Sequence, residues 1–134
     1  MTKITMNTTI QEKNFVNLSN HTSASWSAEQ TAAAKAISGG EIVDVQFPAV
    51  PAGAAKESVA QMAADLVEKI KGLNPGAVMC QGEMTLTYEV VRLLKLEEIP
   101  AVAACSNRET VEKQDKDGNT VKTAVFRFQQ FREY

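Results

Sequence analysis

The stretch AVMCQGEMTLTYEVVRLLKL, residues 77–96, decides the fold. Four apolar residues in a row, Ala77-Val78-Met79-Cys80, fit the central strand of a parallel sheet, where neither side of the strand meets water. The run stops at Gln81-Gly82-Glu83. From Met84 to Leu96 apolar residues recur at helical spacing on two arcs, Met84, Tyr88 and Val91 on one and Leu86, Val90, Leu93 and Leu94 on the other. A buried strand followed at once by a helix is the repeating unit of α/β proteins. A helix apolar over so much of its circumference has two partners, and both deep burial within one chain and contact between two copies account for the second arc.

The same alternation continues on either side. Towards the N-terminus, Gly72 and Pro75 end a helix that starts near Ala54 and carries Val59, Met62, Ala63, Leu66 and Ile70 at helical spacing. Pro48 and Pro51 bracket a loop, and EIVDVQF (41–47) alternates polar and apolar as a strand. Before it, an Ala-rich helix stops at Gly39-Gly40 and begins near Ala28, where Ser27 and Gln30 match a capping box. The first strand is Phe15-Val16-Asn17-Leu18. The polar loop after it holds the only histidine, His21, and the only tryptophan, Trp26. Towards the C-terminus, Ala101-Val102-Ala103-Ala104-Cys105 follows Pro100 and ends at Ser106-Asn107-Arg108. The turn Asp115-Lys116-Asp117-Gly118-Asn119 then leads into a strand over about 120–130, with Ala124, Phe126 and Phe128 on one face. These elements predict a Rossmann-like, mainly parallel sheet in the flavodoxin-like order 2-1-3-4, flanked by helices and closed by a C-terminal antiparallel hairpin. With 134 residues, 44% of them hydrophobic, the chain is read as a single domain, 1–134.

Charge and composition exclude several classes of function. A net charge of −2 supplies no field for duplex nucleic acid or an anionic membrane. No window approaches the roughly 18 apolar residues of a membrane span, and the polar start MTKITMNTTIQEK has no signal-like core, so the expected location is cytoplasmic. Cys80 and Cys105 lie near the ends of apolar runs and are expected to be buried thiols in a reducing compartment. One histidine and two cysteines in apolar surroundings leave too few ligands for a metal. The Walker lysine, the three-glycine dinucleotide fingerprint and the Gly-x-Ser-x-Gly elbow are all missing, so no cofactor is expected.

In sheets of this kind ligands collect beyond the carboxyl ends of the strands, where strand order reverses. Three loops meet there: Asn20, His21 and Thr22; Gln81, Gly82 and Glu83; Ser106, Asn107 and Arg108. His21 suits proton transfer or a hydrogen bond to phosphate, or bonds within its own loop. Gly82 lets backbone N–H groups approach an anion, and Thr85 and Thr87 add hydroxyls in the first helical turn. Glu83 is a helix cap or a group facing the ligand. Arg108 either pairs with Glu109 or Glu112 or grips a phosphate. Trp26 packs beside the first helix or stacks on a base.

Taken in order, FVNLSNHTSASWSAEQ, GEIVDVQFP, MCQGEMTLTYEVVRLLK, VAACSNRE and FRFQQFREY resemble the small Rossmann-like proteins encoded beside type III CRISPR systems, in the broad group of CARF-like sensors and ring nucleases. The resemblance runs from about Phe15 to the last residue. It implies a homodimer with a pocket across the two-fold axis that holds a cyclic oligoadenylate, and gives Leu86, Val90 and Leu93 a part in the dimer contact. It also implies metal-independent cleavage of the ring by attack of a ribose 2′-hydroxyl on the adjacent phosphate. His21 would move the proton, Arg108 and the backbone around Gly82 would hold the phosphate, and Glu83 would orient a ribose hydroxyl. Asn20, Thr22, Gln81, Thr85, Ser106 and Asn107 would surround the ligand. No lysine accompanies His21 in its loop, so Arg108 or a residue of the second copy supplies the charge, or cleavage is absent. Three other readings stand beside this one: a non-catalytic nucleotide sensor or sponge, a nucleoside N-glycoside hydrolase or transferase with Glu83 as nucleophile, and a binding protein for another small nucleotide.

Overall fold

In the computed structural model, which describes residues 12–134, β1 (Lys13–Ser19), β2 (Gly39–Gln46), β3 (Pro75–Gln81), β4 (Ala101–Gln114) and β5 (Thr120–Glu133) form one sheet in the order β2-β1-β3-β4-β5. The polar N-terminal stretch, residues 1–11, in which no signal segment is read, lies outside the described residues. The first four strands run parallel, and β5 returns antiparallel to β4. The helices α1 (Ala28–Ser38), α2 (Lys56–Lys71) and α3 (Met84–Leu96) make the right-handed crossovers that parallel strands require. This is the predicted α/β class and order. Among the described residues no helix is long and apolar enough to cross a membrane.

Side chains alternate across the strands, and this sorts the core into two layers. Phe15 of β1 and Ala77 and Met79 of β3 pack with Ala34 of α1 on one face. Val16 and Leu18, Val78 and Cys80 pack on the other with Val59, Ala63, Val67 and Ile70 of α2 and Leu86, Val90 and Leu94 of α3. Leu86 and Val90 are fully enclosed within one chain, so that arc is not available to a second copy. The exposed apolar residues of α3 are instead Met84, Tyr88 and Leu96.

Local chemistry sets the helix ends. Ser27 Oγ accepts the Gln30 N–H at 3.1 Å, and Gly39, at φ +84°, turns the chain out of α1. The reciprocal half of the capping box is not made, because the Gln30 amide reaches Met79 Sδ at 4.0 Å. α2 begins at Lys56 rather than near Ala54, whose N–H first closes a turn on Pro51 O.

The largest departure from the sequence reading is β4. It continues past Cys105 to Gln114 and pairs with β5 along a long two-stranded ribbon. The pairing of β3 with β4 covers Val78↔Ala101 and Met79↔Val102, after which β4 leaves the sheet with β5 as its partner. Most side chains of β4 beyond Ser106 are exposed on both faces, so this half of the strand carries no apolar run or clean alternation by which it is read. At its tip Asp115 Oδ1 accepts the N–H groups of Asp117 and Asn119, and Gly118 takes φ +80°. Between Cys105↔Gln130 and Ser106↔Phe128 the register slips by one, leaving Gln129 as a β-bulge.

Candidate functional site

The loop leaving β1 is shaped from beneath by a polar network. Asn17, 1% exposed in the middle of an otherwise apolar strand, donates to His21 O at 2.8 Å and to Asp44 Oδ1 at 3.0 Å. Ser19 Oγ donates to Asn17 Oδ1 at 2.7 Å. The Asp44 carboxylate, on the neighbouring strand, accepts the Ser23 N–H with both oxygens at 3.2 Å. Every polar group of Asn17 is thereby used, and the backbone of residues 21–23 is tied to β1 and β2. Asn20 Oδ1 takes a long hydrogen bond from Gln46 at 3.5 Å.

Above this floor lies a cleft of about 790 Å³ on the α1 face, at the carboxyl ends of β1 and β3. That volume is ordinary for a small-molecule site, roughly 300–1,000 Å³. One wall is polar, from Asn20, His21, Gln30, Gln81 and Ser106; the other is aromatic, from Trp26, Phe126 and Phe128. The aromatic wall is braced from the core. Phe15 meets Trp26 edge-on at 6.0 Å, Phe131 lies 4.9 Å from Phe15, and Phe128 lies 4.9 Å from Phe131. Gln81 Oε1 accepts the Ala104 N–H at 2.6 Å, filling the gap where β4 parts from β3.

The structure brings together Asn20, His21, Gln81 and Ser106, with Trp26, in this cleft, whereas Thr22, Gly82, Glu83, Thr85, Asn107 and Arg108 do not line it. Strand alternation divides the loop after β3: Gln81 faces α1, while Gly82 lies over the α3 face beside a smaller hollow with Met84, Tyr88 and Tyr134. Gly82 is not an open anion cradle. A Cβ there would lie 2.5 Å from three carbons of the Phe47 ring, and its N–H is already donated to Thr87 Oγ1 at 3.1 Å. Glu83 caps α3, with its Oε1 accepting the Leu86 N–H at 2.8 Å and the Thr85 hydroxyl at 2.7 Å. Thr22 closes a single 3₁₀ turn through its carbonyl, which accepts from Ser25 N at 3.2 Å and Ser25 Oγ at 2.8 Å. Arg108 stands within β4 rather than past a strand end, on the same ribbon face as Ser106, whereas Asn107 points to the opposite face. Its two sequence neighbours are otherwise engaged: Glu109 pairs with Arg127 at 2.6 Å and Glu112 with Lys122 at 3.8 Å.

Cys80 and Glu83 are among the shifted ionisable groups near the switch point. Burial pushes the Cys80 thiol up to about 12, against a hydrogen bond with Thr87, so this cysteine stays protonated and is no nucleophile. Cys105 is half-buried rather than enclosed. The Leu86 N–H, and after it the Thr85 hydroxyl, hold the Glu83 carboxyl below its ordinary value of 4.5. A depressed folded-state value stabilises the fold at pH above the unfolded value, and that contribution disappears as pH falls through the folded one. Urea midpoints measured from neutral pH downwards should therefore fall more steeply below pH 4.5 for the natural chain than for Glu83→Gln. Parallel acid limbs would remove this role from Glu83. Among the described residues no three His, Cys, Asp or Glu side chains gather where they could hold one metal ion.

The sequence reading misses Asn17, Ser19 and Asp44 as the groups that shape the loop, and Phe126 and Phe128 as a wall of the cleft. One signal was available within the first set: an amide in the middle of a buried strand, as Asn17 is, needs a polar partner. Fold and cleft together define a doubly wound α/β protein with a cleft at the switch point of its sheet. The chain belongs to the Uncharacterized protein MJ1673 family, which matches residues 13–132. No curated protein and no solved structure matches it.

Proposed function

We propose that the cleft binds a small adenine nucleotide, a cyclic oligoadenylate being the form implied by the sequence resemblance, and that His21 serves metal-independent cleavage of its phosphodiester. The observation that carries this reading is the pairing of a polar wall with an aromatic wall, at the carboxyl edge between β1 and β3. A base has a flat face for Trp26 or Phe128 and a polar edge for Gln81 and Ser106. In the cleavage step a ribose 2′-hydroxyl loses its proton to solvent as its oxygen attacks the adjacent phosphorus, a 2′,3′-cyclic phosphate forms as the bond from phosphorus to the 5′-oxygen breaks, and the 5′-oxygen leaves with a proton from the imidazolium form of His21, which solvent then restores. The role given to Glu83 loses support, since its carboxylate caps α3 away from the cleft; the same geometry weakens its reading as a glycosidic nucleophile. The homodimer remains part of the proposal, with the exposed Met84 and Tyr88 as the apolar residues of α3 open to contact.

Native mass spectrometry of the purified chain with cyclic tetra- and hexa-adenylate in EDTA reports ligand and subunit number together. Binding of one of them is expected, and binding of neither overturns the proposal. His21→Ala should slow cleavage about 10²- to 10⁴-fold, the usual worth of one acid–base group, and leave binding nearly unchanged. Intact ligand after prolonged incubation with the natural chain would replace the nuclease with a sensor or sponge.

A further inference from the structure

The aromatic wall does not stop inside the cleft. In an antiparallel pair directly opposed residues share a face, so Arg108↔Phe126 stands on the same face of the ribbon as Ser106↔Phe128, one step further out. Phe126 is 68% exposed and forms the outer rim of the cleft. Beside it, the acidic neighbours of Arg108 are neutralised by Arg127 and Lys122, and among the described residues Arg108 forms no ion pair. The ring is thus held open to solvent next to an uncommitted guanidinium on a ribbon rooted in the sheet. Neither group serves the core. Together they offer the two chemistries that single-stranded nucleotides take from proteins, a face on which a base stacks and a planar cation for its phosphate.

We infer that the Arg108–Phe126 pair is a second nucleotide subsite continuous with the cleft, so that the ligand is at least a dinucleotide. The first base lies in the cleft against Trp26 and Phe128, the next stacks on Phe126, and Arg108 holds the phosphate of that second unit. This inference rests on the nucleotide reading of the cleft and specifies the length of ligand the site requires.

Titration calorimetry on the full chain, comparing adenosine 5′-monophosphate with the linear dinucleotide pApA, tests it. The dinucleotide should bind at least tenfold more tightly than the monophosphate. Phe126→Ala or Arg108→Ala should remove most of that excess, lowering the affinity for the dinucleotide much more than that for the monophosphate. Phe126→Tyr preserves both the strand preference and the aromatic face and should retain the excess, which separates loss of stacking from damage to the ribbon. Equal binding of the two ligands, or an excess that survives both alanine substitutions, overturns the subsite and leaves the cleft reading standing. Failure of both ligands to bind removes the cleft reading, and the subsite with it.

Discussion

Asn17→Leu is expected to lower the unfolding free energy by about 2–4 kcal/mol, because each buried polar group stripped of its partner costs about 1–3 kcal/mol. Leucine fills a similar volume but donates nothing to His21 O or Asp44, and accepts nothing from Ser19. The loss falls chiefly beneath the loop, on Ser19, 6% exposed, and on the His21 carbonyl it shares with Asn17, whereas Asp44 is an exposed residue that water can serve. Urea unfolding measures the cost, and an unchanged midpoint would show that the network does not hold the loop. Asn17→Asp is the sharper variant. It sets a second carboxylate 3.0 Å from Asp44, where two negative charges repel. Its deficit should shrink as the solution is acidified and one of the pair takes a proton. A deficit that stays constant with pH would point to simple loss of packing.

Gly82→Ala is expected to cost about 1–3 kcal/mol, in the range for overfilling a packed core. Phe47 is 3% exposed, so its ring has no free space in which to yield to a Cβ placed 2.5 Å away. Phe47→Leu in the same chain should recover part of the loss, because the smaller side chain leaves room for the added methyl group. The pair of variants also separates two roles for this glycine. An anion cradle would show a large loss of phosphate binding at nearly unchanged stability. Packing against Phe47 shows a loss of stability that depends on residue 47. A single variant as stable as the natural chain would contradict the packing argument.

These residues mark how far the sequence carries. Ala77-Val78-Met79-Cys80 and the helix after it state their own burial, and with them the parallel sheet and its switch point follow. Asn20, His21, Gln81 and Ser106 follow from topology, since strand ends at a switch point need no knowledge of distant contacts. The fate of Gly82 depends on Phe47, 35 positions away in sequence and adjacent only in the fold. Glu83 and Arg108 carry the same kind of ambiguity: a carboxylate or guanidinium near an element end reads alike whether it caps, pairs or waits for ligand. Neighbouring geometry decides, giving the Leu86 N–H to Glu83 and giving Glu109 and Glu112 to other cations. The outer half of β4 lies furthest from legibility, because a strand with no buried side leaves little hydrophobic signal, whereas the turn at 115–119 and the alternation of β5 announce the hairpin itself.

Gln129 carries one more consequence. Along a regular strand Phe131 shares its side with residues 129 and 127, while Phe128 and Phe126 point the other way. The extra residue at the bulge reverses that parity, so all three rings come to one side. The cleft is therefore tolerant of substitution at position 129 and intolerant of a change in count there. Deleting Gln129 would preserve every aromatic residue and still turn Phe126 and Phe128 to the back of the ribbon, a frameshift written in geometry rather than in codons.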